Sequence, residues 1–166
     1  MTRYMFFCFA CGVCASAVAF QNEPSGFRNI EWGADFSHYK SEMTGHRGIG
    51  SIDAYTRLND KLSIGDATLQ YLAYVFYDGK FASVMFTSTG TVNKTALIKT
   101  FKKRFGERGK MNRSQHIYHW RGNKTEIALD CDKLADGCTG ILWSVEHKVR
   151  LVEKEQAAAQ DAKNGF

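Results

Sequence analysis

The stretch LQYLAYVFYDGKFASVMFTS, residues 69–88, constrains the fold of this chain more than any other. Asp78-Gly79 is a dipeptide that populates the positive φ angles of a two-residue type I′ turn, and the apolar runs on either side read as strands. With the turn at 78–79, Tyr77 faces Lys80, Phe76 faces Phe81 and Val75 faces Ala82. One face of the hairpin then carries Tyr71, Ala73, Val75, Val84 and Phe86. The other carries Leu72, Tyr74, Phe76, Phe81 and Met85. Both are apolar. A hairpin backed by solvent shows one polar face, so cover is expected on both sides. The face around Leu72 and Tyr74 is therefore a candidate binding surface, closed either by the chain itself or by another molecule.

One cover is legible. Leu97, Ile98, Phe101 and Phe105 recur at helical spacing from Asn93 and stop at Gly106, the residue type that ends helices. Further strands are expected at 27–32, 52–58, 115–120, 125–131 and 139–145. Asp35 or Ser37 is placed to cap a short helical turn. The segment TGHRGIGS, residues 44–51, is too rich in glycine for regular structure and reads as a mobile loop. From Glu146 the chain turns charged and alanine-rich, a solvated helix that frays into a tail. These elements predict an α+β domain: an antiparallel sheet of about five to six strands, one central helix packed on it, and a C-terminal helix.

The amino terminus, MTRYMFFCFACGVCASAVAFQNEPSG, places Arg3 before an uncharged apolar run and then Ala17-Val18-Ala19. That is the pattern of a cleaved secretory signal, too short for a membrane span. The expected cut follows Ala19, with Ala17 as the alternative. The expected organisation is a signal peptide at 1–19, a single domain at 20–150, and a C-terminal helix and tail at 151–166, with no transmembrane segment once the signal is removed. Cys8, Cys11 and Cys14 have the spacing of metal or cluster ligands, but no fourth ligand is near and no polar neighbour would orient the thiolates. They read as small apolar fillers of the signal. A lipoprotein acylated at Cys11 would need a better box than Cys8-Phe9-Ala10.

Export leaves Cys131 and Cys138 as the two remaining cysteines, in an oxidising compartment where such a pair forms a disulfide. Strand-like residues 127–129 and 141–143 flank them, so the bridge would staple the foot of a hairpin. Closing so small a ring contributes about 2.5 kcal/mol on the chain-entropy account. A catalytic pair would instead be CxxC at a helix start, where the helix dipole lowers a thiol pKa.

The blocks GFRNIEWG (26–33), YTRLNDKLSIGDATL (55–69), YVFYDGKFASVMF (74–86) and ALIKTFKKRFGE (96–107) resemble a family of small uncharacterised exported bacterial proteins. The resemblance spans nearly the whole exported chain and is most specific in the IGDA and GKF-x-SV blocks. It implies an exported single domain and supplies no catalytic residue.

Motifs of chemistry are sparse. The chain has no phosphate-binding loop, nucleophile elbow or zincin motif, and its pattern predicts no cofactor and no metal. Residues 45–50, Gly-His-Arg-Gly-Ile-Gly, lack the strand-then-helix setting that aims amides at a phosphate. His116 and His119 sit three apart, so on a strand they point to opposite faces and cannot share an ion. Asp60, Asp66, Asp78 and Asn59 carry oxygens suited to calcium without the loop spacing it needs; as turn-formers they need no ion. A cell-envelope hydrolase using His119 or His116, with Asp130 and Ser144 on adjacent strands, is the alternative class.

Charge is more telling. Residues 94–124 hold ten Lys and Arg against the single Glu107, while the rest of the chain after residue 19 holds eleven basic and sixteen acidic residues. The strip through Lys99, Lys102, Lys103, Arg108 and Arg113 suits an acidic protein or an anionic envelope component. Nucleic acid is not expected, because export carries the protein away from it. Solvation and the helix dipole explain late-helix lysines equally well. The expectation is a non-catalytic periplasmic protein that binds a partner through the basic strip, the apolar sheet face, or both.

Overall fold

The computed structural model describes residues 20–107, 110–112, 117–131 and 136–164. Two miniature strands, β1 (Gly26–Phe27) and β2 (Ile30–Glu31), precede two 3-10 turns at Phe36–His38 and Lys40–Glu42. Then come β3 (Met43–Ile49), β4 (Ile52–Arg57), β5 (Ser63–Ile64), β6 (Ala67–Thr68), β7 (Tyr71–Tyr77) and β8 (Lys80–Thr89). Helix α1 (Thr91–Phe105) leads into β9 (Lys110–Asn112), β10 (Ile117–Arg121), β11 (Thr125–Asp130), β12 (Gly137–Ser144) and helix α2 (Val145–Asn164). One antiparallel sheet of eight strands, ordered β3-β4-β7-β8-β12-β11-β10-β9, organises the molecule. The α+β architecture is as expected, and the sheet is wider.

It is wider because the glycine-rich segment is a strand. Met43–Ile49 pairs with β4 as an edge, and a bulge between Thr44 and Arg47 absorbs an extra residue. Gly45 at that bulge has φ 66° and Gly50 at the β3–β4 turn has φ 62°, backbone that glycine adopts at no steric cost. Ile49 faces Ile52 across the two-residue Gly50-Ser51 turn. The stretch expected as a mobile loop is thus a hairpin arm, and its Gly-Ser dipeptide was the available signal.

The expected strand at 27–32 is instead a tight hairpin. Phe27 pairs with Ile30, with Arg28 and Asn29 in between at φ 48° and 65°. Asp35 precedes the first 3-10 turn but gives no side-chain cap; its carboxylate takes the Lys80 ammonium at 2.9 Å.

The central hairpin turns at Asp78-Gly79 with both φ positive. Tyr77↔Lys80 and Phe76↔Phe81 hold as expected, but Val75 faces Ser83, not Ala82. Ala82 is the extra residue of a bulge. The reason lies in side-chain parity: Phe81 is odd-numbered, whereas Val84 and Phe86 are even, and an unbroken strand would send them to opposite faces. The bulge brings all three to the face of Leu72, Tyr74 and Phe76 and turns Met85 outward, where it is 42% exposed.

That face is the core. Phe76, Phe81, Val84 and Phe86 are fully buried, and α1 lies over them through Leu97, Phe101 and Phe105. Helix α1 has no side-chain N-cap, a contact worth about 1 kcal/mol. Three buried apolar side chains at about 1.5–3 kcal/mol each outweigh it. At its other end Gln21 and Asn22 donate to the carbonyls of Lys103 and Arg104, and Trp120 Nε1 donates to the Gly106 carbonyl at 2.9 Å. The segment 20–36 completes this cover: Phe20 meets Phe105 edge-on, and Trp32 stacks on Phe81.

Helix α2 crosses the opposite face. Lys148 Nζ lies 4.6 Å from the centre of the Trp143 ring and Lys154 Nζ 5.3 Å from that of Tyr77. Ala73, Val75 and Tyr77 are buried there, while Tyr71 remains 40% exposed. From residue 155 to 163 the helix is exposed, and it runs without a break through position 150.

Cys131 and Cys138 stand directly opposite at the foot of β11 and β12, with their sulfurs 2.03 Å apart. The residues between them are outside the described residues from 132 to 135.

Candidate functional site

Of the residues expected to bind, Leu72 and Tyr74 lie inside the core, 2% and 0% exposed. The face they occupy is closed by α1 and the amino-terminal segment, so an outside partner does not reach it in this fold. Tyr74 is held by its hydroxyl, which donates to Asp60 Oδ2 at 2.7 Å. Burial, followed by the Asp60 carboxylate, holds that phenol well above its usual range. Asp60 also takes the Arg28 guanidinium, and Arg57 pairs with Glu42 beside them.

Lys99 and Lys103 are exposed on α1, while Lys102 leans toward β10; Arg108 and Arg113 fall outside the described residues. Lys102 is half-buried, bonded to Glu107 at 2.9 Å and set over the Tyr118 ring. Glu107 raises the Lys102 pKa by that hydrogen bond against slight desolvation. Lys99 and Lys103 are exposed, and neither forms an ion pair among the described residues. Between them lies a shallow groove of about 440 Å³ lined by Thr95, Ile98, Lys99, Lys102, Lys103 and Glu107. The sequence pattern locates the lysines. It assigns Ile98 to the core stripe, and Ile98 does pack against the core, half-buried, while also forming the groove's apolar floor.

Residues proposed for chemistry are not brought together. His119 faces Ala128 across β10 and β11. Ser144 pairs with Thr125, which alternates to the core side of β11 while Ala128 and Asp130 alternate to the other. The Thr125 and Asp130 rows are five residues apart, roughly 16 Å along the strand. His116 is outside the described residues. Ser144 has its own histidine: its Oγ lies 2.9 Å from His147 Nδ1 and accepts from the His147 amide. Both residues are buried, 2% and 5% exposed, and serve to cap the start of α2. The signal was a serine three residues ahead of His147 at a strand-to-helix junction.

Asp60 and Asp78 are engaged by Arg28 and Lys154, and among the described residues no three His, Cys, Asp or Glu side chains gather as a metal would require. Within the segment 45–50, His46 meets Asp53 across the hairpin at 2.5 Å and stacks on Tyr55. Among the described residues no helix is long and apolar enough to cross a membrane.

A larger cleft, of about 730 Å³, opens on the other flank of α1. Hairpins β1–β2 and β5–β6 wall it, and Thr100, Phe101, Arg104 and Phe105 form the helix side. Sequence reasoning missed it because its walls come from segments some 35 to 80 residues apart, joined only by folding.

No family model, no curated protein and no solved structure matches this chain.

Proposed function

We infer that this is an exported, non-catalytic periplasmic domain that binds an acidic protein on the outer face of α1. The observation that carries the reading is the pair of exposed lysines, Lys99 and Lys103, flanking the half-buried Ile98 with no carboxylate of their own. A solvated helix face needs no apolar floor between its cations; an interface does, because a buried apolar centre ringed by charge is how binding patches are built. The segregation of ten basic residues into 94–124 adds a long-range field that accelerates encounter with an acidic partner. Export is supported by the leading peptide, and it sets the compartment in which a partner would be met.

The test is in-cell crosslinking of the tagged protein, comparing wild type with Lys99→Glu/Lys103→Glu. The reversal should weaken capture of the principal partner by about tenfold or more, and capture should fall as salt rises. Undiminished capture by the reversed protein would leave the lysines as solvation only.

A further inference from the structure

The cleft between α1 and the two short hairpins has the dimensions and the chemistry of a small-molecule site, and it goes beyond the acidic-partner reading. At about 730 Å³ it falls within the roughly 300–1,000 Å³ of ligand pockets, which combine an apolar lining with a few placed polar groups. Its base is apolar: Ile30, Phe101, Phe105 and Leu142 reach it, all at most 5% exposed.

The cleft is built before any ligand arrives. Arg28 and Asn29 hold the β1–β2 turn at positive φ. Arg28 is anchored by Asp60 and by the Ser63 carbonyl, which its Nη2 reaches at 2.7 Å. The Arg28 carbonyl in turn accepts from Arg57. On the other wall Gly65 comes so close to Thr100 that a Cβ there would collide with its side chain. Two hairpins fixed to one another and to the helix leave little to be ordered on binding, which keeps the entropic cost low.

The placement of Arg104 on the apolar wall selects the ligand's head group. Arg28 is neutralised by Asp60. Glu31 is the single carboxylate of the lining and has no ion pair among the described residues. Arg104 is the cation left over: exposed, it pairs with no carboxylate among the described residues. Its guanidinium lies 5.6 Å from the Phe105 ring centre, which keeps it along the apolar wall. An apolar body on Phe101 and Phe105 would place an acidic head within reach of that planar donor fork.

We propose that this cleft binds a small amphipathic anion, its carboxylate or phosphate head on Arg104 and its aliphatic body over Phe101 and Phe105. Titration calorimetry of the purified protein with decanoate, decyl phosphate, decanol and decyltrimethylammonium tests it. Saturable one-to-one binding of an anion is expected, with decanol weaker and the cation weakest. A preference for decanoate assigns a fatty acid, and one for decyl phosphate a phosphate ester. Arg104→Gln should weaken the anion about tenfold and leave decanol unchanged. Lys163→Gln, exposed on α2 and outside the cleft, should leave both unchanged. Absence of saturable binding, equal affinity for anion and cation, or equal losses from the two substitutions would each overturn the assignment. Because Arg104 is exposed, an unchanged unfolding midpoint will show that the variant is folded. Binding here is independent of protein capture on Lys99 and Lys103, so the two readings fail separately.

Discussion

His147 shows what a single buried side chain contributes. It lies under Gly33, where a Cβ would stand 3.3 Å from its ring, and only 5% of it is exposed. Burial is the main force pushing its pKa below the ordinary 6.5; nearby Arg150 and Lys80 act in the same direction, while Glu146 opposes them. The folded state therefore prefers the neutral imidazole, whereas the unfolded chain gains a proton as pH falls through 6.5. Stability from this residue is full above that value and declines as pH drops toward the folded pKa. The unfolding midpoint should fall between about pH 7.5 and 5.5, and His147→Gln should flatten that part of the profile. A variant with an unaltered slope would mean that other groups govern it.

At the scale of elements, β12 is the strand whose partners decide most. It joins β8 to β11, and Gly140 faces Phe86 across the ladder. A Cβ on Gly140 would collide with the Phe86 ring, which is fully buried and packs 5.8 Å from Phe101 of α1. Gly140→Ala is expected to cost about 1–3 kcal/mol by overpacking, read as a lower denaturation midpoint at unchanged m-value. The same strand ends at the Cys131–Cys138 crosslink. Replacing both cysteines by serine should lower stability by about 2.5 kcal/mol. If dithiothreitol leaves the midpoint of the wild-type protein unmoved, the two sulfurs are not bonded in solution.

For the molecule as a whole, the one-sided charge of 94–124 and the two coverings of the sheet set which surfaces are open. The core face is closed by the chain's own α1 and amino-terminal segment, so the accessible features are the groove of Ile98, the cleft of Arg104 and the half-open back face around Tyr71 and Met85. The proposed export also belongs to this scale, because it would fix the redox state the crosslink meets. Amino-terminal sequencing of protein from the native host should begin at Phe20. An intact Met1 would return the cysteines to a reducing setting and remove the basis for the staple.

Local chemistry was enough to determine some features. Asp78-Gly79 sets a turn through the φ angles that the two residues tolerate, the spacing of Leu97, Phe101 and Phe105 sets a helix, and the class follows from both. Features set by distant packing were hidden. The bulge at Ala82 exists because Phe81 and Val84 must share one core, and the Met43–Ile49 arm exists because β4 offers an edge to pair with. The neighbouring residues mark only the Gly50-Ser51 turn of the second, not the pairing itself. The same holds for the sites: a run of lysines is visible in one dimension, but Ile98 becomes a floor, Leu72 becomes core and Arg104 comes to overlook a cleft only once separate segments meet. Short-range preference acts through adjacent atoms and can be read along the chain; cavities and interfaces are relations between remote segments, and only tertiary packing decides them.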